Sequence, residues 1–354
     1  MMANPLVELP RGGTVLLRLP NWLGDAILCT PALAALRSAR PDLRLHALVK
    51  PSVQAAIRGL PGIASVTVLE RTDFGGTLKA GKALKREGFD AALVFPKGFR
   101  EAALVRFAGI PVRVGLDTDH RGLLLTHPVS FTQKDWHEHH ARQFAKVLSP
   151  LGLFLKDEPL AFPLSPQDRA EAEKVLHEAG VTGPFAAFHI AASKAPRAWH
   201  PERFAEVAKV LEEVAGFRPV LLGTPGDVPV HAAFLAACPS GSDLAGKTTL
   251  RGMAAVLERA ALLVGNDSGP MHVAAAVGTR VVAVFGPGAP YKTAPYLAPD
   301  RVRVVYASLP CSPCKQAFWR ECSPCPSGKP PCLEGVRTDA VIRSCLELLD
   351  PASR

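Results

Sequence analysis

VGNDSGPMHVAAAVGTRVVAVFGPGAP, residues Val264–Pro290, is the stretch whose reading decides the fold. An apolar run, Ala261 to Val264, ends in Gly-Asn-Asp-Ser-Gly. Pro270 sits where the first turn of a helix begins, and Gly278 closes a small-residue helix that runs through Val277. A second apolar run, Val281 to Phe285, reaches a turn at Gly286-Pro287-Gly288. Strand, Gly/Ser turn, helix and strand make a βαβ unit. The turn aims backbone N–H groups and the positive end of a helix dipole at one point, which is a place for a phosphate or diphosphate.

Outward from this unit the alternation continues. Strands are expected at Phe185–His189 and Pro219–Leu222, with helices over Pro201–Val214 and Leu250–Arg259. The first half repeats the theme: strand Thr14–Leu19, the turn Pro20–Asp25, and a helix from Ala26 to Ala39. Strands Leu43–Val49, Ser65–Leu69 and Ala91–Phe95 follow, with helices between them. Strands alternating with helices predict parallel sheets covered on both faces. Leu160–Pro166 (LAFPLSP) is extended, proline-punctuated and precedes a polar helix, so it marks the boundary. Two α/β halves joined there leave a cleft, and ligands of such sheets bind beyond the carboxyl ends of the strands.

At 354 residues the chain has room for two domains, each with its own core. It is 48% hydrophobic and 21% charged, as soluble proteins are, and has no apolar run of membrane-spanning length. The start, MMANPLVELPRGG, lacks the apolar core of a signal peptide, so a cytoplasmic location is expected. A net charge of +9 (41 Lys+Arg against 32 Asp+Glu) favours anionic partners. The basic residues are scattered and aromatics make up only 6%, so no nucleic acid is expected among the partners.

Several residues can carry chemistry. In the Asn266–His272 turn, Asp267 or Ser268 can cap the helix, Gly269 lets a phosphate approach the backbone, and His272 can donate to it. A cap and a packed histidine explain the same residues without a ligand. Asp25 can take a proton from an attacking hydroxyl, or can serve as an N-cap. Its charge tells against a phosphate in that first turn, so the two halves have different tasks. Ser193, Lys194 and Arg197 follow strand Phe185–His189 and suit a diphosphate. Lys97 and Arg100 hold the matching place in the first half, where they can meet an anionic acceptor or simply be exposed.

Cys311, Cys314, Cys322 and Cys325 form two C-x-x-C pairs, a possible set of ligands for a structural zinc, with reduced thiols in a packed loop as the other reading. The run Trp136-His137-Glu138-His139-His140 fails the H-E-x-x-H spacing and is expected to begin a helix towards Val147. There is no G-x-S-x-G elbow and no G-x-G-x-x-G after the first strand.

Taken together, Leu19–Pro41, Phe95–Gly115, Arg197–Ala208, Leu244–Ala261 and Gly265–Ala276, with the CSPC tail, resemble the family 9 glycosyltransferases, the ADP-heptose:lipopolysaccharide heptosyltransferases. The likeness is strongest to the heptosyltransferase II branch. It implies an α/β fold of GT-B type, two Rossmann-like doubly wound domains facing a central cleft. Residues 1–162 would bind the acceptor and 163–335 the donor, while 336–354 would form a helix packing back on the first domain. It also implies inverting transfer of heptose from ADP-heptose to a lipopolysaccharide inner-core hydroxyl, with no catalytic metal. Asp25 matches the family's general base. Asp267, Ser268, Gly269 and His272 match its donor-diphosphate turn, and Asp227 falls near the ribose position. Arg197 stands where the family has a lysine, and His200 separates Trp199 from Pro201.

The positive charge fits a monomer working at an anionic glycolipid on the inner face of the cytoplasmic membrane. A sugar-nucleotide epimerase of the same fold, a transferase using another nucleotide sugar, and a non-catalytic sugar-nucleotide binder are the competing readings.

Overall fold

The computed structural model describes residues 7–70, 73–314 and 322–350. The chain divides into two compact units between Pro163 and Leu164, one residue beyond the expected boundary.

The first unit holds β1 (Thr14–Arg18), β2 (Arg44–Val49), β3 (Ile63–Val68), β4 (Ala91–Val94), β5 (Val112–Asp117) and β6 (His127–Ser130). They form one parallel sheet in the order β3-β2-β1-β4-β5-β6. β4 (AALV) is buried throughout because helices cover both faces, whereas β3 (IASVTV) at one edge keeps exposed positions. Pro128 lies in β6, the other edge, where its missing N–H leaves no ladder bond unmade.

The second unit holds β7 (Phe185–His189), β8 (Arg218–Leu221), β9 (Ser242–Asp243), β10 (Leu262–Asn266), β11 (Arg280–Phe285) and β12 (Val302–Tyr306). Their order is β12-β11-β10-β7-β8-β9, again all parallel. Read from the β9 edge this is the same winding as in the first unit. The order reverses between β1 and β4, and between β7 and β10. In a doubly wound sheet that reversal opens a crevice at the carboxyl ends of the two strands.

Four of these strands (β5, β6, β9 and β12) carry little apolar periodicity. β5 and β12 interleave arginine with valine, β6 contains proline, and β9 is two residues long. The single helix expected over Ala26–Ala39 is two, Leu23–Leu28 and Thr30–Ala39. Pro31 has no N–H for the carbonyl one turn back, and the Thr30 hydroxyl donates to the Ile27 carbonyl at 2.7 Å instead.

The Pro166–Glu178 helix starts with a capping box between Ser165 and Asp168. Arg251, on the Leu250–Arg259 helix, donates to Asp168 through Nε at 3.0 Å and Nη2 at 2.6 Å. Those bonds hold the Asp168 carboxyl well below the usual carboxylate range. The last helix, Thr338–Leu349, packs on the Pro201–Ala215 helix, β12 and β11. Its Val341, Cys345 and Leu348 join the core around Phe188, Phe204 and Trp199. Its buried face thus belongs to the core of the second unit. The three apolar residues fall three and four apart and make one stripe, and that stripe is spent.

Candidate active site

In the first unit the loops after β1 and β4 meet at the reversal point. They line a cavity of about 360 Å3 bordered by Asn21, Trp22, Asp25, Lys97, Glu101 and His140, among others. Trp22 takes the N-cap position of the Leu23–Leu28 helix, so Asp25 lies inside the first turn and is not the cap. Its carboxylate Oδ1 lies 3.1 Å from His140 Nδ1, and the side chains are 29% and 25% exposed. A carboxylate in the first turn of a helix is favoured by the helix dipole, and this one still reaches the cavity.

Beneath the Asp25 turn is a buried cation. Arg18 ends β1 with its side chain fully buried and donates to Asn21, to Glu101 at 3.3 Å and to the Leu19 carbonyl at 2.5 Å. Burial lowers its pKa, against the opposing pull of Glu101. A second buried arginine, Arg121, shapes the other wall. Its Nε donates to the Leu116 carbonyl at 2.7 Å and its Nη1 to the carbonyls of Pro96 and Gly98. Burial pulls this guanidinium down to about 10, still charged at neutral pH. Arg121 thereby fixes the backbone on both sides of Lys97. The Lys97 ammonium donates to Gln143 and lies over the rings of Trp136 (4.5 Å) and Phe131 (4.9 Å). Of the two expected acceptor residues, Lys97 lines the cavity, whereas Arg100 is exposed and is not among its lining residues.

In the second unit the loops after β7 and β10 meet at the equivalent place. Asn266 is fully buried at the end of β10. Its Oδ1 accepts from the Trp199 N–H at 2.9 Å and its Nδ2 donates to the Ile190 carbonyl at 2.7 Å. The amide thus ties the β7 loop to β10. Asp267 is buried and pairs through Oδ2 with Arg197 Nη2 at 3.3 Å. A Cβ at Gly288 would lie 2.2 Å from the same oxygen, so the Gly286–Gly288 turn closes on Asp267 because residue 288 has no side chain.

Ser268 holds the N-cap position of the Gly269–Ala276 helix but makes no side-chain capping bond, contrary to expectation. Its hydroxyl lies 3.2 Å from His189 Nδ1 and donates to the Asn266 carbonyl at 3.2 Å. Burial pulls the His189 imidazole down to about 4, so it is neutral at physiological pH. Pro270 brings no N–H, and the Met271 N–H is used on the Ser268 carbonyl at 3.2 Å. Few backbone donors remain, so anion attraction here must come largely from side chains. His272 is buried within the first turn. Ser193 and Lys194 are exposed after β7 and Arg197 is partly buried. One oxygen of Asp227 accepts from the Thr224 N–H at 2.7 Å and hydroxyl at 2.9 Å, which closes the capping box of the short Pro225–Asp227 turn.

The cysteine set is corrected. Among the described residues no three His, Cys, Asp or Glu side chains are grouped to hold a metal ion. Cys311, Cys314, Cys322 and Cys332 line a small cavity with Pro287, Pro330 and Pro331, and all eight cysteines are free. Cys325 is not among that lining. Its N–H donates to the Lys329 carbonyl and its carbonyl accepts from Gly328, both at 2.8 Å, which closes it into its own turn. Burial, and then Cys314 and Cys322, push the Cys332 thiol up to about 11, so it stays protonated.

Two doubly wound Rossmann-like units in tandem are the GT-B architecture, and solved structures of glycosyltransferases share it. A glycosyltransferase family 9 protein from Veillonella parvula matches with a TM-score of 0.81 at 24% identity, covering 95% of this chain and 97% of that one. The Escherichia coli ADP-heptose LPS heptosyltransferase II matches with a TM-score of 0.76 at 22% identity, over 95% and 98%. The chain belongs to glycosyltransferase family 9 (heptosyltransferase), whose profile matches residues 77–322. Its sequence is 26% identical over 299 residues to the lipopolysaccharide heptosyltransferase 2 of E. coli K12, covering 80% of this chain and 85% of that one.

His140, Glu101, Arg18 and His189 are the site residues that sequence reasoning missed. His140 lies 115 residues from Asp25 in the chain. Its local signal, a run of histidines, fails a metal spacing and carries no trace of the carboxylate it meets.

Proposed function

We propose that this glycosyltransferase moves heptose from ADP-heptose to a hydroxyl of the lipopolysaccharide inner core, with inversion and without a catalytic metal. The observation that carries the reading is the Asp25 carboxylate, set at the reversal point of the first sheet in a cavity walled by tryptophan. Asp25 accepts the proton of the acceptor hydroxyl as its oxygen bonds to the anomeric carbon. The bond from that carbon to the diphosphate breaks on the opposite face, and its electron pair leaves with ADP. Arg197, Lys194 and the helix beginning at Gly269 stabilise the leaving charge. A preorganised donor of this kind is worth roughly 2.7–4 kcal/mol, against about 0.3–2 kcal/mol for a helix dipole. The side chains therefore carry most of the stabilisation.

Trp22 (75% exposed) and Trp136 (40% exposed) offer apolar faces to a sugar ring. The net charge of +9 supports salt-sensitive attachment to an anionic membrane from the cytoplasmic side, with the protein a monomer. Among the described residues no helix is long and apolar enough to cross a membrane.

The test is ADP release from ADP-heptose with core-truncated lipopolysaccharide as acceptor. Asp25→Asn should lose about a hundredfold or more of turnover while the thermal shift with ADP persists. Near-normal turnover by that variant would remove Asp25 as the base. An isomerised sugar nucleotide formed without acceptor would replace transfer with epimerisation. A shift with UDP but not ADP would overturn the donor assignment.

A further inference from the structure

We infer that His140 is a positioning residue for Asp25: its Nδ1–H holds one carboxylate oxygen and leaves the other to take the acceptor proton. This rests on the reading of Asp25 as the base. The geometry is specific. His140 Nδ1 and Asp25 Oδ1 are 3.1 Å apart, and both residues line the same cavity. The imidazole opens the short His140–Ala145 helix, and the ring of Phe144, one turn on, meets it edge-on at a centroid distance of 6.0 Å. Gln143 ties this helix to Lys97 and to the Glu138 carbonyl. The histidine is thus held from its own element while its nitrogen reaches across to the Leu23–Leu28 helix.

An ionised carboxylate accepts only, so the contact requires the hydrogen on Nδ1. One charge-assisted bond restricts the carboxylate rotor without neutralising it. The other charges around the pair are few. Lys97 and Glu101 line the cavity, Glu101 is held by Arg18, and the Cys29 thiol beside Asp25 is buried and neutral. Arg37, on the neighbouring Thr30–Ala39 helix, donates to the carbonyls of Pro41 and Leu43. Arg142 and His139 share the histidine's own element or adjoin it.

In each step the proton leaves the acceptor hydroxyl for Asp25, the acceptor oxygen bonds to the anomeric carbon, and the diphosphate departs with the electron pair. His140 exchanges no atom.

The test compares His140→Asn and His140→Phe with the wild type in ADP release from ADP-heptose and core-truncated lipopolysaccharide. Asparagine places an N–H donor near Nδ1. It should keep kcat within about threefold, less than one hydrogen bond to a charge is worth. Phenylalanine fills the space without donating. It should lower kcat by about ten- to a hundredfold, the worth of one hydrogen bond to a charged group, with KM for ADP-heptose unchanged. Wild-type kcat in the Phe variant would overturn the inference. So would equal impairment of both variants, which marks a packing role. Unchanged thermal melting and an intact ADP shift confirm that each variant is folded. Asp25→Asn runs alongside: if it stays active, the base assignment fails. If it is inactive while His140→Phe is normal, only the positioning role fails.

Discussion

Replacing Arg197 with methionine should weaken ADP binding through charge, and restoring charge balance elsewhere should recover it. Arg197 and Asp267 form a 3.3 Å pair at the turn that follows β10, the arginine 26% and the aspartate 8% exposed. In the wild type the pair presents a near-neutral site with its cation towards solvent. Arg197→Met leaves the buried carboxylate alone, and the turn becomes a net anion. A unit charge about 5 Å from a phosphate, at an effective dielectric of about 20, is worth roughly 3 kcal/mol. Exposure of the guanidinium and salt reduce that to about 1.5 kcal/mol, a loss of about tenfold in Kd. Asp267→Asn in the same background removes the opposing charge and should recover most of the affinity. Isothermal titration with ADP at low and high salt reads both effects, and the gap between variants should shrink as salt rises. Wild-type affinity in Arg197→Met would refute the reasoning. So would a double variant that binds no better than the single one.

Arg251→Met should cost about 1.5–3 kcal/mol in urea unfolding, since Asp168 loses its guanidinium but keeps the Ser165 N–H and hydroxyl; a loss below about 1 kcal/mol would show the pair to be dispensable. The depressed Asp168 carboxyl contributes stability above the ordinary carboxyl value of about 3.9, lost as pH falls below it, and the variant should lack that acid-side loss. His189 works in the same sense at a higher pH: its folded value of about 4 lies below that of a free histidine, so the unfolded chain takes the proton first. Stability present above about pH 6.5 should drain away by about pH 4, by about 2 kcal/mol once partial solvent contact is allowed for. Urea titrations at neutral and acid pH should show that extra loss in the wild type and not in His189→Asn, and equal losses would dismiss it.

The fold was legible where local chemistry and tertiary structure agree. β10, the Gly269–Ala276 helix and β11 follow from an apolar run, a glycine turn and a proline at a helix start. The loops after β1 and β4 likewise announce themselves by glycine and proline. Features set by distant residues were not legible. Pro31 divides a helix that apolar periodicity alone runs together. Ser268 turns from its expected capping bond to His189, which comes from another strand. Arg18 reads as an ordinary polar position in β1, yet it is fully buried because Asn21 and Glu101 receive it. The cysteine spacing suggests tetrahedral ligation, but among the described residues no three such side chains are grouped to hold a metal ion. Each of these outcomes depends on which side chains fold against one another, and spacing along the chain does not encode that.

On the proposed function, the bond network of Asn266 bears on how the second unit meets a nucleotide. One amide side chain grips the segments near Ile190 and Trp199 while its own backbone leads into Asp267. Both flanks of the crevice are thereby clamped before anything arrives. A diphosphate entering it finds a mould already set, loses little freedom of the surrounding chain, and spends its attraction on affinity. Speed of release would then be governed by the few exposed side chains at the rim and not by slow refolding of the loops.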